Sequence, residues 1–245
     1  MVAKPRRIAM WSGPRNISTA MMRAWENRPD TAVHDEPFYA YYLLHTGIDH
    51  PGRDEVIAAC EGDWRKVVTQ LTGPVPDGKQ VYYQKHMTQH MVGDIDWSWM
   101  LEMTNCFLIR EPARVIASFS KVMGDITLEQ VGFSKQAALF DYVRQHTGET
   151  PPVLDARDVL TNPHGMLAAL CERIDVPFTE AMLSWPAGSR PTDGVWAPYW
   201  YASVEQSTGF MPYKPAGREV PANLGHLLDE AEPLYKQMAQ YRIQA

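Results

Sequence analysis

Two strand-to-helix junctions carry residue types suited to holding an anion. In the first, Ser12-Gly13-Pro14-Arg15-Asn16-Ile17-Ser18-Thr19, a turn opens into the helical spacing of Ile17, Met21, Met22 and Trp25. A helix N-terminus offers unpaired N–H groups and the positive end of a dipole to a phosphate or sulfate. Arg15 adds a full charge, and Ser18 and Thr19 add hydroxyl donors. A plainer reading treats Gly-Pro as a turn and Asn16 or Ser18 as a helix cap. The departures from an ATP-binding loop are informative. The GxxxxGK[ST] pattern puts a lysine before its hydroxyl residue, whereas Ser18 and Thr19 stand here with no lysine in the loop, and the cation arrives early as Arg15.

In the second junction Arg110 ends the run Asn105 to Ile109, and Ser118 follows eight residues later on a helix that Pro112 is suited to begin. Two helical turns are about 7 residues, so Ser118 shares a face with the residues just after Arg110, and the two can grip one phosphate. A surface arginine and a solvent-facing serine would show the same spacing. No strand ends in an acidic residue suited to magnesium: Ile109 runs into Arg110, and Asp35-Glu36 follows a strand bearing His34. Arginines where metal-binding carboxylates would stand point to transfer of an anionic group without a metal.

Short apolar runs at 7–11, 31–34, 80–84, 105–109 and 152–155 read as strands, the last of them weak. They alternate with helical patterns that start at Ile17, at Glu55 (to Leu71), after Pro112 and at Pro163 (to Ile174), and a final one runs from Leu224 to Tyr241. This order predicts an α/β fold: three layers, a central, mostly parallel sheet between helices. Ligands in such sheets gather at the carboxyl ends of the strands, where Arg15, Glu36, Lys85, His86 and Arg110 fall. Residues 7–180 form the expected core of a single domain over 1–245. Residues 181–245 form a helical, aromatic-rich extension, in which Trp196, Tyr199, Trp200 and Tyr201 can serve either a lid and acceptor pocket or the core. Arg218 falls in a loop of that extension that can cover a nucleotide.

The charge balance, 23 basic against 29 acidic residues, gives a net charge of −6 and argues against a nucleic-acid partner. No stretch approaches the roughly 18 apolar residues of a membrane span, and the opening residues do not read as a secretory signal. Three scattered cysteines suit neither a disulfide framework nor a metal cluster. A cytoplasmic protein is the expectation, with a homodimer left open.

The segments SGPRNISTAMM and LIREPARVIASFSK resemble the 5′-phosphosulfate loop and the 3′-phosphate motif of the sulfotransferases that use 3′-phosphoadenosine 5′-phosphosulfate (PAPS). LDARDVLTNP and MLAALCERIDVPF are similar to two further landmarks of that family, in the same order, so the resemblance covers about residues 7–180. The tail TDGVWAPYWYASVEQSTGF resembles a bacterial and plant branch of the family, some of whose members are joined to an aminotransferase-like domain. No such domain is expected from these residues, so a pyridoxal phosphate activity is not implied. The resemblance implies a P-loop-type fold and PAPS as co-substrate, with no metal. It assigns Arg15, Asn16, Ile17, Ser18 and Thr19 to the 5′-phosphosulfate, and Arg110 and Ser118 to the 3′-phosphate. Arg15 stands where many members have Lys, Ile17 where many have Gly, and Ala156 where a Tyr lies near the adenine.

Sulfuryl transfer from PAPS to a hydroxyl or amine of a small acceptor also needs a base and a cation over the bridging oxygen. His86 has a suitable ordinary pKa and, with Lys85, resembles the family's Lys-x-His segment shifted by one position. Glu36 stands after the second strand, where some carbohydrate-modifying members place a glutamate base. Lys85 suits charge stabilisation better than proton removal, being protonated at pH 7. Arg15 joins it at the bridging oxygen; His34, His90 and Asp35 are weaker choices of base. Two other functions stay open: a P-loop phosphotransferase, which would need magnesium, and a nucleotide-binding protein of the same fold without catalysis.

Overall fold

The computed structural model describes residues 5–215 and 219–245. Five parallel strands form one sheet in the order β2-β3-β1-β4-β5, with β1 Arg6–Ser12, β2 Thr31–Asp35, β3 Val81–Met87, β4 Thr104–Ile109 and β5 Val153–Asp155. β1 lies in the middle, in register with β3 (Met10 opposite Lys85) and with β4 (Met10 opposite Cys106). The α/β architecture expected from strand-helix alternation is therefore present.

Period-two alternation decides what faces where. Ile8 and Met10 of β1 point into one apolar layer, with Met21, Met22 and Trp25 of α1 (Ser18–Glu26). Ala9 and Trp11 point into the other. Between β2 and β3 run α2 (Tyr39–Thr46), α3 (Arg53–Ala59) and α4 (Trp64–Thr72). The single helix expected over 55–71 is thus two. The chain turns extended at Cys60, and Asp63 starts α4 afresh by accepting from the Arg65 amide at 2.9 Å.

α5 (Pro112–Met123) follows β4, then the short α6 (Leu128–Val131) and the long α7 (Phe133–Thr147), two helices beyond those expected from the sequence. α7 buries Phe133, Ala137, Phe140 and Val143 at helical spacing. Its buried Gln136 donates to the carbonyls of Trp11 and Leu108, at 3.1 and 2.9 Å, and so ties together the ends of the two central strands. After β5 come α8 (Ala156–Thr161) and α9 (Pro163–Arg173), which packs its Leu167 and Leu170 on the α1 layer. The C-terminal region holds α10 (Ala197–Trp200), α11 (Ala202–Glu205) and α12 (Gly225–Ala239), which packs on α7 and α5. No helix among the described residues is long and apolar enough to cross a membrane.

Candidate functional site

The carboxyl ends of β1, β2, β3 and β4 open on one cavity of about 530 Å³. The β1–α1 loop and the first turn of α1 make one wall, from Pro14 to Ala20. Two constraints shape this loop. Gly13 packs so closely on α6 that a Cβ there would lie 2.7 Å from the Val131 carbonyl oxygen. Arg15 adopts φ = 53°, a left-handed conformation uncommon for a side chain larger than glycine. The loop is fixed in turn by side chains. Asn16 donates to the Leu108 carbonyl at 2.8 Å and accepts from the Ile17 amide at 2.9 Å, which makes it a strap across to β4. No side chain caps α1, so the plainer capping role for Asn16 or Ser18 does not apply.

The second wall comes from β4 and α5. Arg110 donates to the Arg15 carbonyl at 2.6 Å, and the Arg15 Nε donates to Ser118 Oγ at 3.1 Å. The two sequence motifs, 95 and 103 residues apart at these contacts, thus meet in one cationic cluster. Arg114, one turn beyond Arg110, also lines the cavity. It donates to Glu111, to the Tyr213 hydroxyl at 2.9 Å and to the Lys214 carbonyl at 2.8 Å, and it stacks over the Tyr213 ring. This clasp holds the 211–214 segment along the rim. Arg218 lies outside the described residues.

The floor is a buried ionic network. The Lys85 ammonium donates to Asp35 at 2.8 Å, to Glu36 and to the Tyr201 hydroxyl at 2.8 Å. The Tyr201 hydroxyl donates to Asp35 at 2.6 Å and accepts from the Trp196 indole at 3.0 Å. Burial by itself would lower the Lys85 pKa, but Asp35, Glu36 and Tyr201 outweigh it and hold it well above the ordinary value. Lys85 is a fixed cation. Burial raises the Glu36 pKa, and Asp35 adds to the rise that Lys85 opposes. Glu36 has φ = 40° directly before Pro37, a strained placement of a kind that clusters at functional sites. Its amide donates to the Lys85 carbonyl and its carbonyl accepts from the Tyr39 amide, both at 3.0 Å, so the surroundings impose that conformation.

His86 does not reach the cavity. Neighbouring residues of a strand face opposite sides, so the turn of β3 that sends Lys85 to the site sends His86 into the other layer. There it stacks on Trp11 with ring centroids 4.3 Å apart and contacts the Gln84 side chain at 3.1 Å. Burial pushes its pKa well below the usual imidazole range. Two histidines line the cavity, His50 and His90, and the one nearest Glu36 is His90, in the turn after β3, stacked on Tyr39 and Tyr42 with its Nε2 3.9 Å from Glu36. Burial, reinforced by His50 and Lys85, keeps it neutral. His34 contacts the Tyr82 hydroxyl at 2.8 Å and is not among the cavity residues.

Fold and site together define a parallel α/β protein with a basic cavity at the carboxyl ends of its central strands. Residues 6–242 match the family described as the sulfotransferase domain, and the chain belongs to that family. It is similar to two proteins of Arabidopsis thaliana, branched-chain-amino-acid aminotransferase-like proteins 1 and 2. The first is 38% identical over 235 residues, which are 96% of this chain and 42% of the relative; the second is 34% identical over 230 residues, 93% and 40%. The chain spans less than half the length of these curated relatives, so their name makes no statement about the matched stretch. Two solved structures share the fold. The sulfotransferase from Alicyclobacillus acidocaldarius has a TM-score of 0.56 at 12% identity, over 99% of this chain and 98% of that one. The sulfotransferase domain from the curacin biosynthetic pathway has a TM-score of 0.51 at 16% identity, over 99% and 94%.

Proposed function

We propose that the chain is a PAPS-dependent sulfotransferase that moves a sulfuryl group to a hydroxyl or amine of a small molecule without a metal. One observation carries the reading: a single cavity gathers the uncapped start of α1, the Arg15–Arg110–Ser118 cluster and the Lys85–Glu36 pair. Its volume falls within the roughly 300–1,000 Å³ of small-ligand sites. Among the described residues that line it, Arg15, Arg110, Arg114, Lys85 and Lys214 outnumber the carboxylate of Glu36, which suits a donor carrying several negative charges.

In this reading the α1 amides with Ser18 and Thr19 bind the 5′-phosphosulfate, and Arg110 with Ser118 binds the 3′-phosphate. The bond from sulfur to the 5′-phosphate oxygen breaks as the bond from sulfur to the acceptor oxygen or nitrogen forms, and adenosine 3′,5′-bisphosphate leaves. Arg15 and Lys85 stabilise the charge that grows on the bridging oxygen. Glu36 takes the acceptor proton: it lines the cavity, and burial brings its pKa toward the range of an effective base. The carboxylate is held by Lys85, and His90 stands neutral beside it as a hydrogen-bonding partner for the acceptor.

Thermal unfolding with adenosine 3′,5′-bisphosphate, ATP and ADP, each with and without magnesium, tests the donor assignment. The bisphosphate is expected to raise the melting temperature most and independently of magnesium, since a ligand that binds only the folded state stabilises it. A magnesium-dependent shift by ATP alone would replace the reading with a phosphotransferase.

A further inference from the structure

Two carboxylates stand side by side at the end of β2, and the network around them treats them differently. Asp35 accepts from the Lys85 ammonium at 2.8 Å, from the Tyr201 hydroxyl at 2.6 Å and from the Gly194 amide at 3.4 Å. Glu36 accepts from the same ammonium through Oε1, and its Oε2 faces the neutral His90 at 3.9 Å, beyond hydrogen-bond distance. Asp35 is well supplied with donors, whereas Glu36 keeps an oxygen for a substrate proton. The ammonium has three hydrogens, and Asp35, Glu36 and Tyr201 take all three.

The direction of each bond at Tyr201 follows by elimination. An ammonium and an indole N–H can only donate, so the hydroxyl accepts from Lys85 and from Trp196, at 2.8 and 3.0 Å, and its own hydrogen goes to Asp35. Burial, reinforced by Asp35, holds the phenol pKa well above the ordinary value, so that hydrogen stays in place. The segment that carries Tyr201 is anchored on the elements beneath it. Asp193 pairs at 2.7 Å with Arg23 of α1, which is fully buried, and the next residue supplies the Gly194 amide to Asp35. Gly194 packs so closely on the Trp196 ring that a Cβ would overlap it. The run TDGVWAPYWY thus delivers one hydroxyl to the junction of the ammonium and the two carboxylates.

We infer that Tyr201 is a positioning residue for the proposed transfer: its hydroxyl, by occupying Asp35, keeps the Lys85 ammonium seated on Glu36, the carboxylate that receives the acceptor proton. This rests on the sulfotransferase reading and adds a residue to it. Without the hydroxyl, Asp35 loses its shortest contact and draws the ammonium toward itself, away from Glu36. Lys85 lowers the Glu36 pKa and Asp35 raises it, so Glu36 becomes harder to ionise. Removing the charge of Asp35 acts in the opposite sense, because the ammonium falls to Glu36 and the like charge beside it disappears. The other groups that face Glu36 are the neutral His90 ring and the Tyr39 phenol, whose pKa burial and Glu36 both raise. Arg15, Arg110, Arg114 and Lys214 stand on the other walls of the cavity, and the same groups are present after either change.

The test follows the Glu36 carboxyl directly. The full chain is labelled with glutamate carrying carbon-13 at the side-chain carboxyl, Glu36→Gln identifies the signal, and its titration is recorded by NMR in the parent, in Tyr201→Phe, which keeps the ring, and in Asp35→Asn. The Glu36 midpoint is expected to move to higher pH by about 0.5–1 in Tyr201→Phe and to lower pH by about 1 in Asp35→Asn. Release of adenosine 3′,5′-bisphosphate from PAPS, with water as the acceptor, is expected to fall in Tyr201→Phe by roughly 3–10-fold on the acid side of the profile and to come within about twofold of the parent above both midpoints. A Glu36 midpoint that stays in place in Tyr201→Phe, or moves the same way in both variants, overturns the proposal. So does a loss of turnover that is equal at all pH values, which marks a structural role. Should Tyr201→Phe not fold, Asp35→Asn carries the test, and a midpoint that does not fall overturns the competition of the two carboxylates for Lys85. A parent that is neither stabilised by adenosine 3′,5′-bisphosphate nor able to release it from PAPS overturns the sulfotransferase reading, an outcome separate from the Glu36 titration.

Discussion

Replacing Lys85 by methionine removes a buried cation and leaves two buried carboxylates behind. In the intact protein the ammonium holds Asp35, Glu36 and the Tyr201 hydroxyl, and it is 1% exposed. Breaking a buried ion pair from one side costs about 3–5 kcal/mol, because the remaining charge is desolvated without compensation. Asp35 keeps the Tyr201 hydroxyl at 2.6 Å, and Glu36 borders the cavity and can bind a proton, so the lower end, about 3 kcal/mol, is expected at pH 7.5. For a chain of this length that is a fall in melting temperature of roughly 6–12 °C. The loss should depend on pH in one direction. Glu36 has a folded pKa raised by burial, so its contribution to stability is intact below its unfolded value and declines as pH rises through the folded one. Removing Lys85 removes the largest influence that lowers that pKa, so the window widens upward. Relief of His90, whose pKa Lys85 helps to depress, acts in the same sense. Urea unfolding of both proteins at pH 5 and pH 7.5, compared as variant minus parent at each pH, is expected to show the defect smaller at pH 5 by about 1 kcal/mol or more. A defect of equal size at both pH values, or none, would refute the claim that Lys85 compensates buried carboxylates.

Glu36→Gln is expected to lower kcat by roughly 100-fold or more under saturating PAPS, with the melting temperature nearly preserved, whereas His86→Ala should lose stability through its vacated stack on Trp11 and keep kcat within a few-fold. The reverse ranking in the same turnover and unfolding measurements would return the base to His86. Arg110→Ala should weaken adenosine 3′,5′-bisphosphate by roughly 10–100-fold in calorimetry, the worth of a charge-assisted contact, and change adenosine 5′-phosphate much less. Gly13→Ala should lower both the melting temperature and the bisphosphate affinity, because its Cβ would press on the Val131 carbonyl; an unchanged crystallographic loop with parental affinity would show that α6 yields instead.

Much of the fold is legible in the sequence because it is local. Five apolar runs ended by turn residues, with helical patterns between them, give the strands their places, and the chemistry-bearing residues then fall at the carboxyl ends. Arg15, Glu36, Lys85, Arg110 and Ser118 line the cavity from positions that spacing alone suggests. His86 is not legible in this way: it adjoins Lys85 in β3, and strand alternation turns it to the opposite face. Arg114 is legible too, since it stands in the first turn of α5, four residues before Ser118 on the same helix face. The break at Cys60 to Asp63 was hidden because Gly62 and Asp63 interrupt a run that otherwise keeps its apolar residues. Tyr201 is a different case. Nothing near it in sequence shows that its hydroxyl meets Asp35 and Lys85, a contact fixed by the packing of the C-terminal region over the sheet.

That contact has a kinetic consequence. Lys85 and Tyr201 are 116 residues apart in the chain, and Asp35 and Tyr201 are 166 apart. Closing loops of such length is entropically slow and is rewarded only once most of the intervening structure exists. The sheet and its anion loop can form from local and neighbouring elements while Lys85 still lacks one of its partners. During synthesis Tyr201 has to leave the ribosome before the ionic floor closes, so under the proposed function binding of a multiply charged donor precedes competence to react with it. Refolding followed by donor binding and by turnover would separate the two events in time, with turnover appearing second.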